Sequence, residues 1–146
     1  MAQNETATLA RAGVLKLSVV TPTGSAVSVE VDQVEAPSVD GEFGVLPGHR
    51  PLLAALRAGV VRYRSAGKTT SLAVGPGFAE VSAEGVTVLT DHCVSAADID
   101  PAAARAELAA AQKRLEGFEP AEVDEARRLA DWATARLEAA KDAGRS

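Results

Sequence analysis

Three groups capable of chemistry stand side by side in this chain: Asp91, His92 and Cys93. A carboxylate, an imidazole and a thiol are the parts of a nucleophilic or metal-binding centre. Catalytic partners must, however, converge in space from separate directions, which consecutive residues do not do. A structural zinc site takes four ligands, and the chain has one Cys and two His. The tripeptide is therefore read as structural, with no catalytic residue and no metal expected. Gly75-Pro76-Gly77 lacks the Gly-Lys-Ser/Thr ending and the following helix of a phosphate loop, so it is read as a turn. Asp98 and Asp100 could hold a cation, but Asp100 before Pro101 is better explained as a helix cap.

Two other sets of residues suit binding rather than catalysis. Glu42 stands next to Gly41 near the end of an expected strand. His49 follows Pro47-Gly48, a dipeptide suited to a type II turn. Both fall at loop edges, where solvated turn residues and contact residues look alike. Trp132 is the sole tryptophan, with Arg128 and Arg136 four residues to either side. These form a basic, aromatic helix face of the kind found at contact surfaces. Asp131, Glu138 and Asp142 are interleaved with them, as on a solvated helix of mixed charge.

The elements that must position these residues fall into two halves. Leu15, Leu17 and Val19 alternate with polar residues, as do Val27, Val29 and Val31, and then Val34 and Ala36. Phe43 and Val45, then 52–56, 60–64, 71–74, 78–82 and 86–90, follow as further short strands. Breaks at Gly41, Pro47-Gly48, Gly59, Ala66-Gly67, Gly75-Pro76-Gly77 and Glu84-Gly85 separate them. Period-two alternation with regular turns predicts an all-β sandwich or flattened barrel, and no helical segments appear between strands as a βαβ fold requires.

After residue 97 the period changes. Ala104, Leu108, Ala111, Leu115 and Phe118 recur at four and three. Gly117 to Pro120 interrupts. Val123, Ala126, Ala130, Ala133, Leu137 and Ala140 then form a second seam. Two seamed helices joined by a short break predict an antiparallel hairpin. The expected organisation is α+β: a flexible tail over 1–13, a β-sandwich over 14–96 and a helical hairpin over 97–146. Alanine forms helix readily but buries little area, so the hairpin should be internally sound yet weakly docked.

Composition limits the function classes. The 146 residues are 47% hydrophobic and 24% charged, with net charge −5 and pI near 5.0. That speaks against a general nucleic-acid binder and against a basic patch for anionic lipid. No apolar run approaches the roughly 20 residues of a membrane span, and residues 1–13 lack a signal-peptide core. A cytosolic chain is expected, touching a membrane only through a protein partner.

The stretch Gly41-Glu42-Phe43-Gly44-Val45-Leu46-Pro47-Gly48-His49-Arg50-Pro51-Leu52-Leu53, with Leu56, Gly59, Val60 and Val61, closely resembles the β-domain signature of epsilon subunits of F-type ATP synthases. Gly75-Pro76-Gly77-Phe78-Ala79-Glu80-Val81 resembles that family's later Gly-Gly-x-x-Glu-Val stretch. The resemblance covers roughly residues 14 to 142. It implies a non-catalytic rotor part on the cytoplasmic face of a bacterial inner membrane, in a proton- or sodium-translocating enzyme. The implied partners are the gamma subunit, the polar loops of the c-ring, and the catalytic alpha/beta head. The implied behaviour is a hairpin that either folds on the β-domain or extends into the head and brakes ATP hydrolysis. Glu42 and His49 match residues that face the ring loops, where Glu42 could pair with an arginine. Arg127, Arg128, Arg136 and Lys141, around Trp132, could serve as the basic residues that face an acidic segment of the catalytic subunit.

One departure from the family pattern stands out. The ATP-binding motif of some members, Ile/Leu-Asp-x-x-Arg-Ala, begins here at Ile99-Asp100, but Ala103 replaces the arginine and Arg105-Ala106 comes two residues late. Two residues are about 200° of helix rotation, so ATP is not carried over as a cofactor. Two readings from other classes stand beside this one: a small β-domain enzyme, opposed by the lack of a converging nucleophile, base and orienter, and a free-standing ligand-binding adapter with a mobile hairpin.

Overall fold

A computed structural model describes residues 13–117 and 119–145. The expected tail, apart from Gly13, and Phe118 in the first helical seam lie outside the described residues. Among the described residues ten strands are followed by two helices, so the α+β expectation holds. The strands are β1 (Leu15–Thr21), β2 (Gly24–Val31), β3 (Gln33–Ser38), β4 (Gly41–Val45), β5 (Leu52–Leu56), β6 (Gly59–Ser65), β7 (Lys68–Val74), β8 (Gly77–Val81), β9 (Gly85–Thr90) and β10 (Cys93–Ser95). A 3-10 turn at Ala96–Asp98 leads to α1 (Pro101–Arg114) and α2 (Pro120–Asp142).

The strands hydrogen-bond in the order β10-β7-β6-β3-β5-β8-β9-β1-β2, with β4 paired to β3. Among the described residues every ladder is antiparallel except β1–β9, which runs parallel from Lys16↔Gly85 to Val20↔Leu89. The alternation seen in sequence sorts side chains to two faces, as the pleat requires. Leu15, Leu17, Val19, Val34, Val61, Val74, Val86 and Val88 are fully buried in one apolar cluster. β10 and the 3-10 turn were not expected from the sequence.

Two tight turns set the geometry near the candidate residues. His49 N–H donates to Leu46 O across Pro47-Gly48 at 3.1 Å, and Gly48 has φ +83°. That is the conformation expected of a type II turn, which glycine adopts without cost. The β6–β7 hairpin turns at Ala66 (φ 52°) and Gly67 (φ 76°), a pair of left-handed residues that matches the twist of the strands.

The helices begin and pack largely as their seams require. The Asp100 carboxylate accepts from the backbone N–H of Ala102 and Ala103 at 3.0 and 3.3 Å, and Pro101 occupies the first turn. Ala104 and Ala111 of α1 and Ala126, Ala130, Ala133 and Ala140 of α2 are buried. α2 also carries a second buried face that the seam did not include: Ala135 and Ala139. With Ala140 these join Val60, Ala73, Ala96 and Ile99 in a separate cluster between helix and sandwich. The hairpin is thus docked on β6 and β7 through α2, on side chains that are mostly alanine and valine.

Candidate partner-contact sites

Arg62 on β6 draws together Glu42 and two acids of α2, and no local sequence pattern marks it. Its Nε donates to Asp142 Oδ2 at 2.5 Å, its Nη2 to Glu138 Oε1 at 3.0 Å, and its Nη1 to Glu42 Oε1 at 3.2 Å. The Arg62 side chain is 21% exposed. Ser71, its neighbour across the β6–β7 ladder, donates its hydroxyl to the same Asp142 oxygen at 3.0 Å. The guanidinium pKa is pushed further above its ordinary value, first by the Asp142 hydrogen bond. Partial burial opposes this, and the Glu138 and Glu42 hydrogen bonds add to it. Glu138 and Asp142 are therefore not merely solvated charges of α2; they tie its C-terminal end to the sandwich. Arg145 adds a further tie, donating from Nη1 to Ala96 O at 2.6 Å.

Glu42 lies on β4, opposite Pro37 of β3, and is brought beside the hairpin rather than left at a bare loop edge. His49 is separate from this network. Its Nδ1 lies 2.6 Å from Arg50 O, and its ring is half-buried in the Pro47-Gly48 turn.

Trp132 is half-buried where α2 meets the sandwich and packs against the second apolar cluster. Its indole stacks on His92 at 5.2 Å between ring centroids, tilted by 28°. The Arg136 guanidinium carbon lies 5.4 Å from the same indole, a cation–π distance. Arg136 also pairs with Glu107 of α1, while its Nε is buried without a hydrogen-bond partner. Trp132 and Arg136 thus serve an internal contact in this pose, whereas Arg127 and Arg128 are exposed.

Asp91 and His92 approach to 3.8 Å, and both are more than half exposed. Burial pushes the Cys93 thiol pKa up, away from nucleophilic reactivity. Among the described residues, no group of three or more His, Cys, Asp or Glu could hold a metal ion. The buried Thr90 hydroxyl instead binds the loops beside this tripeptide, donating to Gly75 O at 2.9 Å. What the surface offers is contact: charge-assisted hydrogen bonds, an aromatic stack and apolar burial.

The architecture is a β-sandwich carrying a docked helical hairpin, and its candidate residues form contact surfaces. Residues 14–96 match the family described as ATP synthase, Delta/Epsilon chain, beta-sandwich domain. The ATP synthase epsilon chain of Synechococcus sp. (strain WH7803) is 42% identical over 132 residues, covering 88% of this chain and 97% of that one. The ATP synthase epsilon chain of Nitratidesulfovibrio vulgaris (strain DP4) is 48% identical over 101 residues, covering 69% and 75%. The fold also matches a chain in the cryo-EM structure of the Euglena gracilis mitochondrial ATP synthase (OSCP/F1/c-ring, rotational state 1). The TM-score there is 0.79 at 22% identity, over 88% of this chain and 82% of that one. A chain of the Tetrahymena thermophila mitochondrial ATP synthase central stalk and c-ring matches with TM-score 0.55 at 13% identity, over 86% and 95%. The chain belongs to the ATP synthase epsilon chain family. It is a non-catalytic subunit of the central stalk, peripheral to the membrane-associated enzyme. No described helix is long and apolar enough to cross a membrane.

Proposed function

We propose that this chain couples the gamma subunit to the polar loops of the c-ring and that its hairpin brakes ATP hydrolysis by leaving the sandwich for the catalytic alpha/beta head. The observation that carries the reading is the docking of α2. Its apolar contact with β6 and β7 is made of Ala135, Ala139 and Ala140 against Val60 and Ala73, with Trp132 at the edge. Burial stabilises by about 25 cal/mol per Å² of apolar surface, so side chains this small hold the helix loosely. The helix itself is alanine-rich, begins on Pro120 and is tied to α1 by Arg136–Glu107 and Arg114–Glu125, so it survives undocking as a helix. Undocking frees Trp132 to join the exposed Arg127 and Arg128 as a basic, aromatic face for an acidic segment of the head.

In the same reading, Glu42 and His49 contact the ring loops, with ions translocated by the ring rather than by this chain. The chain works on the cytoplasmic face of a bacterial inner membrane. Removing residues 97–146 should raise ATP hydrolysis by the assembled enzyme and leave its assembly with gamma intact. Hydrolysis unchanged by the truncation sinks the brake. Failure of the full chain to co-purify with gamma sinks the stalk placement and favours a free-standing adapter.

A further inference from the structure

We propose that Glu42 competes with the hairpin for Arg62, so that occupying or neutralising Glu42 tightens the docking of α2 on the sandwich. This goes beyond the partner reading above and stands on contacts within the chain alone. One guanidinium serves three carboxylates, each at a different nitrogen: Asp142 at Nε, Glu138 at Nη2 and Glu42 at Nη1. Two of these acids arrive on α2 and the third belongs to the sandwich. A fourth acid, Glu35, stands directly across the β3–β6 ladder from Arg62. Lys68 lines the cleft of about 400 Å³ between Arg62, Ser71 and Asp142, and it is the other cation there.

Negative charge is thus in excess around Arg62 whenever the helix is docked. Docking brings Glu138 and Asp142 toward Glu42, and like charges at such range repel. Glu42 and Arg62 both belong to the sandwich, so their pairing does not require α2, whereas Glu138 and Asp142 reach Arg62 only in the docked pose. The two helix acids also make the shorter contacts, 2.5 and 3.0 Å against 3.2 Å for Glu42, which marks them as its principal partners. Removing the Glu42 charge leaves the whole guanidinium to the helix and removes a repulsion that only the docked pose feels. Coupling is reciprocal: a cation that binds Glu42 from outside favours the docked hairpin, and docking leaves Glu42 freer for such a cation.

The full-length chain tests this directly, because Trp132 is its only tryptophan and lies in the docked contact. Emission and acrylamide quenching of Trp132 across low urea give the docked fraction. Amide exchange at Leu17 and Val88, which lie in the sandwich's own cluster, checks that the sandwich stays folded. The double substitution Glu138→Gln/Asp142→Asn should lower the docking constant roughly three- to tenfold. Glu42→Gln should raise it about two- to threefold. In the triple variant the Glu42 effect should vanish, because its target on the helix is gone. A Glu42→Gln chain that docks no better than the parent, or a gain that persists in the triple variant, overturns the proposal.

Discussion

Trp132 of α2 and His92 of the β9–β10 loop stack 5.2 Å apart, with their rings tilted by only 28°. The helix meets the sandwich through an aromatic pair whose two members lie forty positions apart in the chain. His92 is therefore a docking residue rather than part of a reactive centre.

Replacing His92 with alanine should loosen α2 without unfolding the sandwich. An aromatic pair of this geometry contributes about 0.5–1.5 kcal/mol beyond its buried area. Trp132 emission should move to longer wavelength and its quenching should rise, while the β-sheet circular dichroism holds. Unchanged emission means the stack contributes nothing to docking.

Ala66→Gly should stabilise the sandwich. Ala66 sits at φ 52°, in the left-handed region that costs an L residue roughly 1–2 kcal/mol. Part of that gain is lost to the extra freedom of glycine in the unfolded chain, leaving about 0.5–1 kcal/mol. A lower melting temperature in the variant contradicts the turn geometry.

Asp100→Ala should destabilise α1 by about 1 kcal/mol. The carboxylate satisfies two backbone donors, and alanine satisfies neither. Amide exchange of Ala102 and Ala103 should accelerate; equal protection in the variant refutes the cap.

Cys93 supplies a pH dependence. Burial raises the folded thiol's pKa, so the fold prefers the neutral form. The associated stability is fully present below the unfolded thiol's value of about 8.5 and is lost as pH rises through the folded one. The urea midpoint of the parent should therefore fall more steeply above about pH 8.5 than that of Cys93→Ala. Parallel curves would remove the thiol from the account.

Glu42→Gln should weaken ion pumping in the reconstituted synthase while changing the stability of the chain by no more than about 0.5 kcal/mol. The carboxylate is 44% exposed and available to a partner on its outer side. Pumping equal to that of the parent counts against Glu42 as a ring contact.

The sandwich was legible because local pattern and local turn chemistry agree: alternating valines and leucines between Gly- and Pro-bearing breaks leave few alternatives. The helix seams were legible for the same reason. β10 was not, because three half-buried residues after His92 carry no period of their own. The second buried face of α2 escaped because alanine reads equally well as seam, surface or docking residue. Its partners Val60 and Ala73 lie far upstream in the sequence. Arg62 escaped for a related reason: its bonds to Glu138 and Asp142 span most of the chain. One signal pointed there. Two acids four residues apart near a helix C-terminus oppose the helix dipole and need a cation from elsewhere.

The parallel pairing of β1 with β9 makes the first strand a late joiner. Leu17 pairs with Val86, so the N-terminal strand finds one of its two neighbours only after almost the whole sandwich has been synthesised. Until then β1 and β2 form a hairpin with both edges open and an unburied row of Leu15, Leu17 and Val19. Such long-range closure is slow, and open apolar edges in waiting invite association with other chains. During biogenesis, the vulnerable part of this subunit is thus its first hairpin, and the event that protects it is the arrival of β9.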